Sequence, residues 1–151
     1  MLNKMEFKHK DHFLELGFDE FQPKLQELVK NKKNMLVHIY GTIDSSGRSW
    51  CPDCVLSHPH IEAIKPIIDE KQDEKEIYFI DIPEDWDKRS YYKKNPILKE
   101  KRVPTLIYFF EGREMGRIVE DEMYTYDAVK EFIDQIYEIP PFAAKIKPFR
   151  R

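Results

Sequence analysis

Two cysteines three residues apart, in Trp50-Cys51-Pro52-Asp53-Cys54, are the only thiols of this 151-residue chain. They have no further cysteine with which to build a disulfide framework. A Cys-x-x-Cys pair beside a strand–helix pattern reads as a dithiol redox motif. The spacing sets both sulfurs on one side of a first helical turn. One thiol can then attack a substrate disulfide and the other can resolve the mixed disulfide. Free cysteines are often just small buried hydrophobes. The tryptophan before this pair and the proline inside it point instead to chemistry.

Only the thiolate attacks. Cys51 at a helix N-terminus faces unpaired N–H groups and the positive end of the helix dipole, which favour its anion. Asp53 pulls the other way through its own negative charge, or serves simply as a first-turn acidic residue that stabilises the helix. Two other functions fit the same residues. Cys51, Cys54 and His58 have helical spacing that puts three zinc-type ligands on one face. His60, six residues past Cys54, points away, and no second cysteine pair exists. A non-catalytic scaffold is the third reading, since fold does not fix function.

The chain is long enough for one domain with its own core. Its composition, 41% hydrophobic and 35% charged, is globular rather than disordered. A net charge of −3 implies no general attraction to nucleic acid. No run is apolar enough to span a bilayer. The charged start, Met1 to Lys8, has no apolar signal core. These features place the protein in a reducing cytoplasm, where such a pair is a catalyst rather than a staple.

The elements that must position the pair follow from hydrophobic spacing. A first strand is expected around Phe7 to Leu14 and a helix over Phe18 to Val29, with Pro23 confined to its first turn. Met35 to Tyr40 is a near-continuous apolar run, as in a central strand buried on both faces. Gly41 to Ser49 is a loop turning at Asp44-Ser45-Ser46-Gly47. A helix opens at the cysteines, with Pro52 in its first turn, and runs to about Lys71 with a kink at Pro59. Strands are expected at Glu76–Ile82, Thr105–Phe110 and Glu114–Val119, the last two joined at Gly112, and a short helix at Trp86–Lys94. Tyr126 to Tyr137 is an amphipathic last helix, ended by Ile139-Pro140-Pro141. The order gives one mixed sheet with helices on both faces, an α/β fold. Residues 1–16 form an N-terminal extension, 17–138 the domain, and 139–151 a basic tail with Lys145, Lys147, Arg150 and Arg151.

This order, with Cys-x-x-Cys opening the helix after a buried strand, resembles the thioredoxin fold. Pro59, five residues past Cys54, is similar to the helix-kinking proline of thioredoxins. Val103-Pro104-Thr105 resembles their segment with a cis proline. The sequence Trp-Cys-Pro-Asp-Cys and the loop Gly41 to Ser49 before it look like the thioredoxin domain-containing protein 17 family over residues 17 to 138. The resemblance implies a dithiol–disulfide oxidoreductase with no bound cofactor, supplied with electrons by NADPH through thioredoxin reductase. Its substrates would be small disulfides such as cystine, nitrosothiols and selected proteins, with no nucleic-acid or membrane partner. Cys51 would be the nucleophile and Cys54 the resolving thiol. Pro52 and Asp53 would tune the potential, and Trp50, Val103 and Pro104 would meet the substrate, Val103 by strand addition. His38 stands where thioredoxins carry a buried aspartate. It is a possible proton shuttle for the resolving thiol or a satisfied core histidine. Glu120-Asp121-Glu122 stands where thioredoxins have a glycine near the substrate groove. It reads as a solvated loop, or as a charge run that excludes acidic or bulky protein substrates.

Overall fold

The computed structural model describes residues 6–138. The first five residues and the basic tail from residue 139, with the stop at Ile139-Pro140-Pro141, lie outside the described residues. Five strands and four helices follow one another: β1 (Phe13–Glu15), α1 (Phe21–Lys30), β2 (Met35–Gly41), α2 (Pro52–Glu70), β3 (Tyr78–Glu84), α3 (Arg89–Lys93), β4 (Thr105–Phe110), β5 (Arg113–Val119) and α4 (Tyr126–Glu138). The sheet order is β1-β3-β2-β4-β5. β3 is parallel to β1 and β2, while β4 is antiparallel to β2 and β5. The strands therefore make one mixed sheet.

β2 is central, and every residue from Met35 to Gly41 is buried. Alternate side chains of a strand point to opposite faces, so β2 feeds two cores. Leu36 packs with Ile61, Ile64 and Ile68 of α2 and Phe132, Ile133 and Ile136 of α4. Met35, Val37 and Ile39 pack with Phe21, Leu25 and Leu28 of α1 and Tyr92 of α3. Helices thus cover both faces of the sheet. No helix among the described residues is long and apolar enough to cross a membrane.

Several boundaries differ from the sequence expectation for local reasons. The first strand is shorter and later: a 3-10 turn over Lys10–His12 leaves only Phe13–Glu15 to pair with β3. Phe7 still reaches the core, stacked on Phe13. α1 starts at Phe21 because a turn at Gly17 takes the amides of Glu20 and Phe21, while the Glu20 carboxylate accepts from the Gly17 N–H. β3 starts at Tyr78, not Glu76, because the Gln72 side chain brackets Ile77 on both its N–H and C=O. α2 holds two prolines, Pro59 and Pro66, the second unforeseen. Gly112 turns β4 into β5 at a φ of 83°, in the left-handed region that favours glycine.

Candidate active site

Residues from four segments meet at the N-terminus of α2. Cys51 is the N-cap, in an extended conformation, and Pro52 is the first helical residue. Cys51 and Cys54 are joined as a disulfide with Cα atoms 5.3 Å apart. The Cys54 N–H donates to the Cys51 sulfur at 3.2 Å, and the Gly41 N–H to the Cys54 sulfur at 3.2 Å. Each sulfur thus faces a backbone donor suited to a thiolate. Cys51 is 6% exposed and Cys54 is 1% exposed, so the first sulfur is the one nearer solvent. Gly41 is required by space: a Cβ there would lie 2.7 Å from the Cys51 Cβ and 2.8 Å from the Trp50 ring.

The second wall is the segment before β4. The Val103–Pro104 bond is cis. The Cys51 sulfur lies 3.7 Å from the Val103 carbonyl oxygen, next to the end of the β2–β4 ladder at Thr105. The Trp50 Nε1–H donates to the Glu84 carbonyl at 2.8 Å, and the ring meets Trp86 edge-on at 5.2 Å. The loop before Trp50 is organised by Asp44. Its carboxylate accepts from the Ser46 hydroxyl and from the amides of Ser46 and Arg48, which holds it below the usual carboxylate range. Gly47, Arg48, Ser49, Pro52, Val55 and Leu56 line an open, largely apolar depression beside the dithiol, with Leu56 exposed.

The remaining candidates fall in different places. Asp53 is half-buried, and its hydrogen bond with the Tyr124 hydroxyl pushes the tyrosine pKa up. His38 is buried under α2, with Nδ1 2.9 Å from Asp81 Oδ1 and Nε2 without a partner. It hydrogen-bonds neither sulfur. Asp81 also accepts from Lys65 at 2.6 Å, and Lys65 donates to Glu62 at 2.7 Å. Burial opposes the Asp81 charge, but His38 and Lys65 outweigh it and the pKa is lowered. Burial likewise opposes the Lys65 ammonium, and Asp81 and Glu62 reverse it. His58 approaches Tyr40, ring centroids 6.2 Å apart, and burial lowers its pKa. His60 donates to the Tyr124 carbonyl. The set Cys51, Cys54 and His58 is therefore not assembled, and among the described residues no group of three His, Cys, Asp or Glu could hold a metal.

The acidic run is not a bare solvated loop. Glu120 pairs with Arg102 at 2.7 Å, and Glu122 accepts from the Val119 N–H at 2.9 Å. Sequence reasoning missed Tyr124, Arg102, Asp81 and Lys65. It also missed a buried group behind Trp50, formed by Glu84, Arg89 and Glu100. Only the fold, which brings their partners together from distant parts of the chain, reveals them, since a lone acid or base in a sequence reads as solvated.

A five-stranded mixed sheet covered on both faces, with a cysteine pair opening α2 opposite a cis proline, defines a thioredoxin-fold protein, and the pair supports a thiol–disulfide oxidoreductase role. Residues 14–135 match the family described as thioredoxin domain-containing protein 17-like, thioredoxin domain, and the chain belongs to that family. It is 30% identical to thioredoxin domain-containing protein 17 of Danio rerio over 114 residues, 76% of this chain and 87% of that one. It is also 31% identical over 98 residues to acireductone dioxygenase of Leishmania infantum, but spans only 28% of that protein's length. Thioredoxin O2 from Arabidopsis thaliana in its oxidised state shares the fold, with a TM-score of 0.58 at 19% identity over 83% of this chain and 95% of that one.

Proposed function

We propose that the protein is a cytoplasmic disulfide reductase with Cys51 as nucleophile and Cys54 as resolving thiol. One observation carries the reading: the two sulfurs bridge at the cap of α2, with the first nearer solvent and beside the Val103 carbonyl. The Cys51 thiolate attacks one sulfur of the substrate, and the other leaves as a thiolate that takes up a proton. The Cys54 thiolate then attacks Cys51 and expels the second substrate thiolate. Two electrons pass to the substrate and the internal disulfide remains. NADPH, through thioredoxin reductase, returns the pair to the dithiol.

The substrate set is restricted: cystine-sized disulfides, nitrosothiols and selected proteins. Support comes from the Asp44-organised loop beside the pair and from the Arg102–Glu120 ion pair flanking Pro104, both of which narrow the approach of a bulky disulfide. Trp50, Val103 and Pro104 form the contact surface, and Pro52 and Asp53 tune the potential.

The test is reduction of cystine and of insulin under NADPH and thioredoxin reductase. Wild type reduces cystine well and insulin poorly. Cys51→Ser loses both, and Cys54→Ser stalls as a mixed disulfide visible by mass. Turnover by Cys51→Ser overturns the nucleophile. Insulin reduction as fast as a general thioredoxin's overturns the restriction.

A further inference from the structure

The buried group behind Trp50 connects the two walls of the dithiol cleft. Arg89 opens α3, and its side chain is 16% exposed. Its guanidinium carbon lies 5.1 Å from the centre of the Trp50 ring, within cation–π range. Its Nε is 3.3 Å from Glu84 Oε1, and its Nη2 donates to Glu100 Oε1 at 3.0 Å. Both carboxyl side chains are fully buried. The Glu84 carbonyl in turn accepts from the Trp50 indole and from the Thr42 N–H. Glu100 stands three residues before Val103 on the same segment.

We infer that Arg89 is a positioning residue that clamps the Trp50 loop to the segment carrying Val103 and Pro104, and so sets the width of the cleft in which a substrate disulfide meets Cys51. The inference rests on the reading of the dithiol as the reacting pair. An arginine suits the task because its planar fork spans two carboxyls while its face stacks on an aromatic ring; a lysine ammonium cannot do both. The charges also balance. Burial and Glu100 push Glu84 up to about 9, with Arg89 and Lys93 opposing. Neither Glu84 carboxyl oxygen accepts a hydrogen bond. A proton on that carboxyl lets it donate to Glu100, so one guanidinium serves two carboxyls. Water in place of the side chain would leave the indole and Glu100 unconnected. Attack needs the substrate sulfur in line with the Cys51 thiolate, so a loosened cleft lowers the rate without changing the thiol.

The test places Arg89→Met and Arg89→Lys in a Trp86→Phe background, where Trp50 is the remaining tryptophan. Three readouts are taken on the reduced, folded protein: acrylamide quenching of Trp50, alkylation of Cys51 by iodoacetamide, and cystine reduction. In Arg89→Met the quenching constant rises at least threefold and kcat/KM for cystine falls at least tenfold. Alkylation, which needs only the thiolate, stays within about twofold. Arg89→Lys falls between wild type and Arg89→Met. Unchanged quenching, or cystine reduction and alkylation falling together, overturns the clamp. If Arg89→Met does not fold, an Arg89→Lys protein that matches wild type in quenching and cystine reduction overturns it equally. Cystine left untouched by wild type, with Cys51 still alkylated, would remove the reductase reading. Quenching would then still decide the clamp.

Discussion

β3 carries two buried acids three residues apart on opposite faces of the sheet, and they are held in opposite charge states. Asp81 faces α2, where His38 and Lys65 keep it ionised despite burial. Glu84 faces the Trp50 side, where it shares a single arginine with Glu100 and is pushed up to about 9. Burial penalises both anions, so depth does not separate them. The count of partners does. Asp81 has two basic neighbours, His38 and the Lys65 that it shares with Glu62, whereas the Glu84–Glu100 pair has one arginine between them, and like carboxyls close together cannot both ionise cheaply. The α2 side is thus an ionic network that ties the helix carrying the cysteines to β2 and β3. The Trp50 side is a protonated clamp whose charge balance depends on one shared proton.

The largest effect comes from breaking the network under α2. Lys65→Met leaves the Asp81 carboxylate buried with His38 alone. Removing one member of a buried pair costs about 3–5 kcal/mol, and urea unfolding at pH 7 reads it. A loss below about 1 kcal/mol would mean that His38 alone satisfies Asp81 and that the two sides of β3 do not differ by partner count. Such a loss acts on the whole domain, so far-ultraviolet circular dichroism should stay native until the shifted transition.

The second effect sharpens the comparison by pH. Asp81 has a depressed pKa, so its contribution is present above the unfolded value near 3.9 and is lost as pH falls through the folded one. Lys65 is raised, so its contribution is lost only as pH rises beyond the unfolded value near 10.4 and through the folded one. Neither changes between pH 5 and pH 9. Glu84 is raised to about 9, so the folded state holds a proton that the unfolded state has released above about 4.3. Its contribution is full below that unfolded value and declines until pH passes about 9. Glu84→Gln keeps a donor towards Glu100 and removes the titration. Relative to wild type, the variant gains at least about 1 kcal/mol on going from pH 5 to pH 9. Parallel stability curves would show that Glu84 is ionised throughout.

The difference between the two sides could not be read from one sequence, although much around it could. The cysteine pair, Pro52 at the helix start, the wholly buried run of β2 and the Val103-Pro104 segment all carry local signals: spacing, a missing N–H, unbroken apolarity, a proline at a strand start. The buried acids carry none. Glu84 ends an apolar strand, where an acid ordinarily marks the passage into a loop, and Asp81 stands within it as a lone acid. Lys65 and Glu62 look like the solvated side of a helix. Their partners come from elsewhere in the chain: His38 lies 43 residues from Asp81, and Glu100 lies 11 from Arg89. Periodicity says which face a residue takes. It does not say what stands opposite. The acidic run is similar, since Arg102, the partner of Glu120, comes from the segment before β4.

Asp53, in the first turn of α2, is half-buried and bonded by the Tyr124 hydroxyl, and it should give the smallest effect. Water screens its charge, so the partner-count rule should weaken here to a modulation of the neighbouring thiol. Asp53→Asn removes a negative charge near Cys51 and should raise the thiolate fraction at neutral pH. Tyr124→Phe removes the donor that spreads the Asp53 charge and should lower that fraction. On the Coulomb scale for charges several ångström apart in a solvated site, each change is about two- to fivefold. Thiolate absorbance near 240 nm, followed against pH in the reduced protein, reads both. In the double variant the tyrosine has no charge left to modulate, so Tyr124→Phe should do nothing in the Asp53→Asn background. An equal effect of Tyr124→Phe with and without the Asp53 charge would show that the tyrosine acts on the fold of the turn after β5. Asp53 would then be only a first-turn residue of α2.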